Sequence, residues 1–392
     1  MNYLSFITGL CFWTGQVYLA HSIINRYMVY IPSLILRNGA IILFGLFMGL
    51  WPPFVFVKMG HNEIIAGVLT LHPLNFEGWL LFLFLLYGFV LFIKNIITDI
   101  ARKIRGPVPD GVKLKSRKII DIGITENLST PSLPLRMEVF LGHLNDYYKL
   151  EISEYQVEIA GLAESFDGFR LAHVSDLHYD GKLNDGFYQE CIKQLKKLKP
   201  DLIAVTGDVI SRGADPEMAY DIMSKMQAPE GVAVIRGNHD FKGKGRQVKN
   251  ILEKAGCMVL DNRETIVRKG KDTLHIAGVE HPWNRDRDWD RKLISGRETT
   301  TICLTHTPDN FMRAAQAGAG LVLCGHTHGG QIRVPLFGPV LCPTKFSKKY
   351  DQGFFKRNQS ILYVSRGIGS IFPLRIGCVP ELTLFELKSV DK

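Results

Sequence analysis

Seven residues of this 392-residue chain lie just after short apolar runs and have side chains of the types that can bind divalent metal ions. The runs cover 171–174, 202–205, 232–235, 302–304 and 321–323. The ligand candidates that come after them are Asp176, His178, Asp208, Asn238, His306, His326 and His328. If the runs are strands, they deliver these side chains to one edge of a sheet, where binding sites commonly form. This layout predicts a site that binds two metal ions and hydrolyses phosphate esters.

The spacing of the candidates explains how ions would be held. Asp176 and His178 are two residues apart, so in an extended chain they lie on the same face and reach one ion. His326 and His328 repeat this arrangement, and the two carboxylate oxygens of Asp208 can bridge two ions. Mixed nitrogen and oxygen donors favour Mn, Fe, Zn or Co over Ca and argue against a thiolate zinc site.

Two such ions about 4 Å apart can share a hydroxide that is nucleophilic near neutral pH. His239 adjoins Asn238, and we predict that it faces the site and stabilises or protonates the leaving oxygen. Asp240 would hold the His239 ring by a hydrogen bond, as carboxylates commonly do with functional histidines. His239 and Asp240 are therefore the predicted catalytic residues.

The ordered motifs resemble those of the calcineurin-like metallophosphoesterases, and specifically their membrane-anchored bacterial branch. The resemblance covers about residues 155–388. It is carried by HVSDLH at 173–178, PDLIAVTGD at 200–208, GVAVIRGNHD at 231–240, LTHTPD at 304–309, GHTHGGQI at 325–332, VSRGIG at 364–369 and PLRIGCVPELTLFEL at 373–387.

The resemblance implies a four-layer α/β/β/α sandwich and two divalent cations, with Mn the first choice and Fe, Zn or Co the alternatives. It implies that one ion is held by Asp176, His178, Asp208 and His328. It implies that the other is held by Asp208, Asn238, His306 and His326. His239 would be the histidine that faces the substrate.

The sequence also predicts how the chain is divided. Residues 1–25, 38–57 and 78–98 are almost free of charge and approach the roughly 20 apolar residues that a membrane helix needs. We expect a transmembrane region of about three helices over 1–105, a linker over 106–150, and the metallophosphoesterase domain over 151–392. Within that domain, apolar residues at spacings of three and four predict a helix over 185–198 that Pro200 ends.

Charge and cysteine content predict the compartment. Eight Lys or Arg residues lie between positions 94 and 118, which favours a cytoplasmic location for the part of the chain after the third apolar segment. The seven cysteines form no CxxC pair and suit a reducing compartment. We therefore expect a multi-pass protein of the inner membrane whose catalytic domain faces the cytoplasm. The chain has a net charge of +9. Its basic cluster after the third apolar segment is better explained by attraction to anionic lipid head groups than by binding of nucleic acid.

The predicted substrate is a phosphate ester carried by a membrane lipid. Arg333, Arg366 and Arg375 could clamp a second phosphate, although ordinary ion pairs would also account for them. A tethered active site meets lipid-borne phosphates at high effective concentration. Some members of the family cleave the pyrophosphate of UDP-2,3-diacylglucosamine in lipid A synthesis, and this resemblance makes that lipid the leading candidate.

Three alternatives share these residues. The same site could serve a phosphomonoesterase or phosphoprotein phosphatase. A non-catalytic, membrane-tethered binding platform is disfavoured, because a complete polar ligand set is costly to keep without metal. A nuclease would show steep salt dependence. The sequence indicates no particular oligomeric state.

Overall fold

The computed structural model describes residues 13–24, 83, 86–94, 96–98, 100, 108–128 and 142–390, except 182, 243, 285, 298, 336–337 and 371. The chain forms two compact units. One consists of Met1–Gly106 with Val334–Lys348, and the other of Pro107–Arg333 with Lys349–Lys392.

In the first unit, residues 13–24 and 86–94 are helical. Their backbones approach closely at Gly15 and Gly88, where a Cβ atom on either residue would collide with the other segment. Among the described residues, no helix is both long enough and apolar enough to cross a membrane. The predicted span over 38–57 lies outside the described residues, and the spans over 1–25 and 78–98 are described only in part.

The second unit contains two mixed sheets. The strands of the first are β1 (Val112–Asp121), β2 (Lys149–Ala160), β3 (Arg170–Val174), β4 (Leu202–Thr206), β5 (Val232–Ile235), β6 (Met258–Val259) and β15 (Glu381–Val390). Their order is β1-β2-β15-β3-β4-β5-β6. The strands of the second are β7 (Glu264–Lys269), β8 (Asp272–Val279), β9 (Thr301–Thr305), β10 (Ala319–Cys324), β13 (Gly353–Arg357) and β14 (Ser360–Val364), in the order β13-β14-β10-β9-β8-β7. Two short strands, β11 (Arg333–Val334) and β12 (Gly338–Pro339), lie outside these sheets.

Strands β3, β4 and β5 of the first sheet run parallel, as do β9 and β10 of the second, and their register aligns their carboxyl ends. Val205 in β4 pairs with Val174 in β3 on one side and Val234 in β5 on the other. In the second sheet, Leu304 in β9 pairs with Leu323 in β10. These strands are continuously apolar because both of their faces are covered. The residues that follow these strands therefore lie together at the carboxyl edge of each sheet.

The described residues of the second unit form the helices α1 (Ile122–Thr125), α2 (Asp185–Lys197), α3 (Glu217–Met223), α4 (Asn238–Phe241), α5 (Gly245–Lys254), α6 (Trp289–Leu293) and α7 (Phe311–Ala317). Short 3-10 turns cover Gly142–Leu144, Glu164–Phe166, Pro308–Asn310, His328–Gly330 and Ser347–Tyr350. Helix α2 confirms the helix predicted over 185–198. The side chain of Asn184 accepts a hydrogen bond from Gly186 N and caps its first turn.

Alternation along the strands separates two cores. Leu171 and Leu202 from the first sheet pack with Ile302 and Leu304 from the second, so the two sheets lie face to face. On the other face of the first sheet, side chains of β3, β4 and β5 pack with helices α2, α3 and α5. Helix α7 packs against β10 of the second sheet. The described elements thus bury both sheets and leave the strand ends free to carry the site.

Part of the segment predicted to be a linker belongs to the first sheet. Strand β1 lies within 106–150 and pairs antiparallel with β2, Val112 opposite Val157. Its sequence, VKLKSRKIID, is polar because β1 is the edge strand and most of its side chains are exposed. A charged edge strand lacks the apolar run by which the sequence analysis recognised the inner strands.

Candidate metal centre

The predicted ligands come directly after the aligned ends of the parallel strands, and most of them have an unusual backbone. Asp176, His178, Asp208, His326 and His328 all have positive φ, between 47° and 72°. A non-glycine residue in this left-handed region costs on the order of 1–3 kcal/mol and is concentrated at functional sites. The backbone of these turns is therefore strained, and in this conformation the five side chains lie close together.

One group of candidate ligand atoms lies around His178. Its Nε2 lies 3.0 Å from Nε2 of His328 and 3.6 Å from Oδ2 of Asp208. His328 Nε2 is in turn 3.4 Å from Oδ1 of Asp176. All four side chains are buried. Asp176, His178 and His328 each have a ligand atom within 4.8 Å of the others, close enough to hold one metal ion.

A second group gathers around His306. Its Nε2 lies 3.3 Å from Oδ2 of Asp208, 3.1 Å from Oδ1 of Asn238 and 3.2 Å from Nδ1 of His326. Asp208 belongs to both groups, since the same Oδ2 faces His178 and His306. The seven side chains thus form two adjoining sets joined by one carboxylate.

The hydrogen bonds behind the site fit metal binding. Nδ1 of His306 lies 2.7 Å from the carbonyl oxygen of Thr206 and donates to it, which leaves the Nε2 lone pair facing Asp208 and Asn238. Burial lowers the pKa of His178 to about 3, so its ring is neutral and able to act as a ligand.

The pKa of His306 shows instead how strongly Asp208 attracts positive charge. Burial would lower it, but the charge of Asp208 and the hydrogen bond to that carboxylate outweigh burial and raise the pKa to about 9. The pair therefore favours a positive charge at the point where the two sets meet. Imidazole nitrogens, carboxylates and one amide oxygen form a donor set suited to two divalent cations.

Two glycines make room for these contacts. Gly207 has φ of 91°, and a Cβ there would lie 2.5 Å from Gly237 N and 2.9 Å from His306 Nδ1. A Cβ on Gly325 would collide with the carboxylate of Asp176. The glycines in the GD and GHTH motifs are therefore needed for close approach of the two sheets.

Known proteins are similar in sequence to this chain. A family model described as calcineurin-like phosphoesterase matches residues 169–330. The uncharacterized metallophosphoesterase YkuE of Bacillus subtilis is 32% identical over 256 residues, which cover 62% of this chain and 87% of YkuE. The chain belongs to the calcineurin-like metallophosphoesterases.

Two further relatives carry functional names. The phosphodiesterase YaeI of Escherichia coli is 30% identical over 224 residues, 56% of this chain and 82% of YaeI. The UDP-2,3-diacylglucosamine pyrophosphatase LpxG of Chlamydia trachomatis is 23% identical over 331 residues, 68% of this chain and 97% of LpxG. These findings confirm the predicted family, its α/β fold with mixed sheets and the enzyme class. The chain is a metal-dependent phosphoester hydrolase.

His239 of this metallophosphoesterase lies beside the first group of ligands. Its ring contacts that of His178 edge to face, with 4.7 Å between centroids. Its Nδ1 accepts a hydrogen bond from the main-chain N–H of Arg212 at 3.1 Å. The neutral ring therefore carries its proton on Nε2 and can donate it.

The predicted contact between Asp240 and the His239 ring is wrong. The buried carboxylate of Asp240 instead accepts main-chain N–H groups of Gly237 at 2.8 Å, Ile210 at 3.2 Å and Val209 at 3.3 Å. Asp240 therefore ties the GNHD turn to the chain after Asp208. Sequence adjacency could not distinguish a carboxylate that holds a ring from one that holds two loops.

The three predicted phosphate-binding arginines are engaged elsewhere. Arg366 forms buried ion pairs with Glu381 at 2.5 Å and Glu151 at 3.0 Å. Arg333 pairs with Asp351 at 2.8 Å. These contacts are the ordinary ion pairs that were the alternative to phosphate binding by these arginines.

Arg375 is completely buried among main-chain oxygens. Its guanidinium donates to the carbonyls of Gly367, Gly369 and Cys378 and lies 3.4 Å from Nδ1 of His328. It supports the turn that carries His328, so it can affect the site only through the position of that residue.

Trp283 is a site residue that the sequence analysis missed. Its ring centroid lies 5.2 Å from that of His306 and 5.5 Å from that of His326, edge-on to both. A tryptophan is not a metal ligand, so a search for ligands passes over it. The available signal was its position shortly after β8, the strand that pairs with β9 in parallel.

Proposed function

We propose that this metallophosphoesterase hydrolyses a phosphodiester or pyrophosphate bond in a lipid-linked substrate such as UDP-2,3-diacylglucosamine. The observation that carries the hydrolytic part is the shared carboxylate: Asp208 lies within 3.6 Å of His178 and 3.3 Å of His306. We assign one cation to Asp176, His178, Asp208 and His328, and the other to Asp208, Asn238, His306 and His326. We take Mn as the physiological ion.

Two bound cations would supply an activated water molecule and neutralise phosphate oxygens. The residues of the chain complete the chemistry. Asp208 fixes the separation of the two ligand sets, and Asp240 keeps the GNHD turn against the chain after Asp208. His239, protonated on Nε2, donates to the leaving oxygen as negative charge develops there.

Two observations support a lipid-linked substrate. The relative LpxG is named as a UDP-2,3-diacylglucosamine pyrophosphatase, and its alignment covers 97% of its length. The apolar segments within 1–98 fit a membrane anchor, which would bring the site close to lipid phosphates. We propose a transmembrane region over 1–105, a connecting segment over 106–150 that also supplies strand β1 of the first sheet, and a catalytic domain over 151–392 that faces the cytoplasm.

A substrate panel tests this proposal. The full chain, purified in detergent and loaded with Mn, is offered UDP-2,3-diacylglucosamine, bis-p-nitrophenyl phosphate and p-nitrophenyl phosphate. We expect the highest kcat/KM on the lipid and the lowest on the monoester. Asp208→Ala, prepared in parallel, identifies contaminating activity. A preference for the monoester would overturn the proposal and favour a phosphomonoesterase.

A further inference from the structure

A chain of hydrogen bonds leads from the core between the two sheets to the ligand Asp176. Side chains alternate along β3, which places His173 on the same face as Leu171, between the sheets. Nε2 of His173 lies 2.8 Å from Oγ1 of Thr206, the last residue of the neighbouring β4. Oγ1 of Thr206 is 2.8 Å from Oγ of Ser175, which donates to Oδ2 of Asp176 at 2.6 Å.

The direction of these hydrogen bonds follows from the carboxylate at the end of the chain. A carboxylate that binds a cation has no proton and can only accept, so the Ser175 hydroxyl donates to Asp176. The oxygen of Ser175 then accepts the hydroxyl proton of Thr206. The oxygen of Thr206 accepts in turn from His173, which therefore carries its proton on Nε2. Burial lowers the pKa of His173 to about 3, so the ring is neutral and has one proton to donate.

The Ser175 hydroxyl engages only one of the two carboxylate oxygens of Asp176. Oδ2 accepts from this hydroxyl, and the main-chain N–H of His326 lies 3.0 Å from Oδ2 and 3.1 Å from Oδ1. Oδ1 is the oxygen that lies 3.4 Å from Nε2 of His328. The hydrogen bonds thus hold the carboxylate with Oδ1 toward the other ligands of its set.

The packing around the chain leaves no room for a replacement partner. Gly325 lies against Ser175, since a Cβ on Gly325 would be 2.0 Å from Oγ of Ser175. The rings of Tyr363 and Phe385 have their centroids 5.9 and 6.3 Å from that of His173. Nδ1 of His173 is buried and makes no hydrogen bond with a described residue, which is unfavourable in an apolar core. An apolar side chain would avoid this cost, so we attribute the histidine to its hydrogen bond with Thr206.

We propose that the His173 ring and these two hydroxyls are positioning groups for metal binding, which fix the Asp176 carboxylate with Oδ1 on the first cation. The inference rests on the metal ligands of the proposed function and is independent of the lipid substrate. The main-chain carbonyl of Thr206 also accepts from Nδ1 of His306. Thr206 therefore supports one ligand of each set, Asp176 through its hydroxyl and Ser175, and His306 through its carbonyl.

Thr206→Val tests the chain with almost no change in side-chain volume. It removes the hydroxyl but retains the main-chain carbonyl that holds His306. The apparent Kd for Mn, measured on the full chain from the EPR signal of free Mn, should rise by about 10–100-fold, the usual effect of losing a contact behind a ligand. Thr206→Ser keeps the hydroxyl and should bind Mn like the wild type. Thr301→Val makes the same change at a buried threonine of β9 whose hydroxyl has no partner among the described residues, and should leave the Kd unchanged.

A double-mutant cycle shows whether Thr206 acts through Ser175. Ser175→Ala should weaken Mn binding at least as much as Thr206→Val, and combining the two should add little to the loss in Ser175→Ala. His173→Phe keeps a ring beside Tyr363 and Phe385 but has no donor, and it should also raise the Kd.

The outcomes separate this inference from the proposed function. An unchanged Kd for Mn in Thr206→Val, Ser175→Ala or His173→Phe would overturn the inference. It would also be overturned by additive losses in the double variant, or by a loss in Thr206→Ser as large as that in Thr206→Val, which would assign the effect to packing. A wild type that binds no Mn would instead refute the proposed function.

Discussion

The carbonyl oxygen of Thr206 accepts a hydrogen bond of 2.7 Å from Nδ1 of His306. Thr206 ends β4 in the first sheet, and His306 comes directly after β9 in the second, so the contact links the two sheets at the site. The proposed ligands also come from both sheets. Binding of metal should therefore stabilise the packing of one sheet on the other.

Removing metal should consequently lower the melting temperature. A ligand present at 100 times its Kd stabilises the folded state by about 2.7 kcal/mol. For a domain of this size that corresponds to roughly 5–11 °C. Differential scanning fluorimetry with Mn, and again after EDTA and desalting, measures the shift.

Asp208→Ala provides the matched comparison. It removes the carboxylate common to both ligand sets, so elemental analysis should find little Mn and the melting temperature should not respond to EDTA. Asp167→Asn, an exposed carboxylate paired with Lys388, should respond like the wild type. Full Mn content in Asp208→Ala would contradict the shared-ligand assignment.

His239→Ala should retain metal yet lose turnover. The ring is a predicted proton donor, and loss of general acid catalysis typically costs on the order of 10²–10⁴ in rate. Steady-state kinetics and elemental analysis of the same preparation test both halves of this prediction. His143→Ala, an exposed histidine of the Gly142–Leu144 turn, is the control. If His239→Ala lost its metal, the residue would be a ligand and its assigned role would be wrong.

How far the sequence determined this structure depends on the kind of residue. Asp176 and Asp208 were located from the apolar runs before them, because parallel strands in register must end together. Strand β1 was missed, because an exposed edge strand has no apolar run to reveal it.

The roles of the polar residues around the ligands were harder to predict. Arg375 was one of three arginines considered for phosphate binding and Asp240 was expected to hold His239, whereas both bind main-chain groups within the fold. Sequence order gives the identity of a charged group but not the main-chain atoms that converge on it. Trp283 was missed for a related reason, since its contact with His306 depends on the packing of two neighbouring strand ends.

Trp283 should report metal binding by its fluorescence. Its ring lies edge-on to His306 and His326, so a paramagnetic Mn ion held by those residues would quench its emission. Titration with Mn should quench the wild type and lose most of this effect in Trp283→Phe. That variant should also bind Mn about tenfold more weakly, as expected when support behind a ligand is removed.

Asp208→Ala is the control for the titration, since it keeps Trp283 but lacks the shared ligand. It should show no quenching at the same Mn concentrations. Undiminished quenching in Trp283→Phe would place the reporting tryptophan elsewhere in the chain.

A cluster of charged residues around Asp261 should give the protein a measurable sensitivity to acid. Asp261 accepts hydrogen bonds from Arg236 at 2.7 Å and Lys249 at 2.6 Å. Burial would raise the pKa of Asp261, but the hydrogen bond from Lys249 and the charges of both cations outweigh it and lower the pKa to about 2. The unfolded chain should have the ordinary value of 3.8.

A depressed pKa in the folded state means that the unfolded state binds protons more readily over this interval. The stabilising contribution of Asp261 is therefore complete above pH 3.8 and is lost as the pH falls through about 2. Urea unfolding of wild type and Asp261→Asn at several pH values between 5 and 2 measures it. The wild type should be the more stable at pH 5, and the difference should shrink as the pH falls.

Asp272→Asn, at the start of β8, should keep the pH dependence of the wild type. A stability difference between wild type and Asp261→Asn that stays constant down to pH 2 would show that the ion pairs of Asp261 do not contribute through its charge.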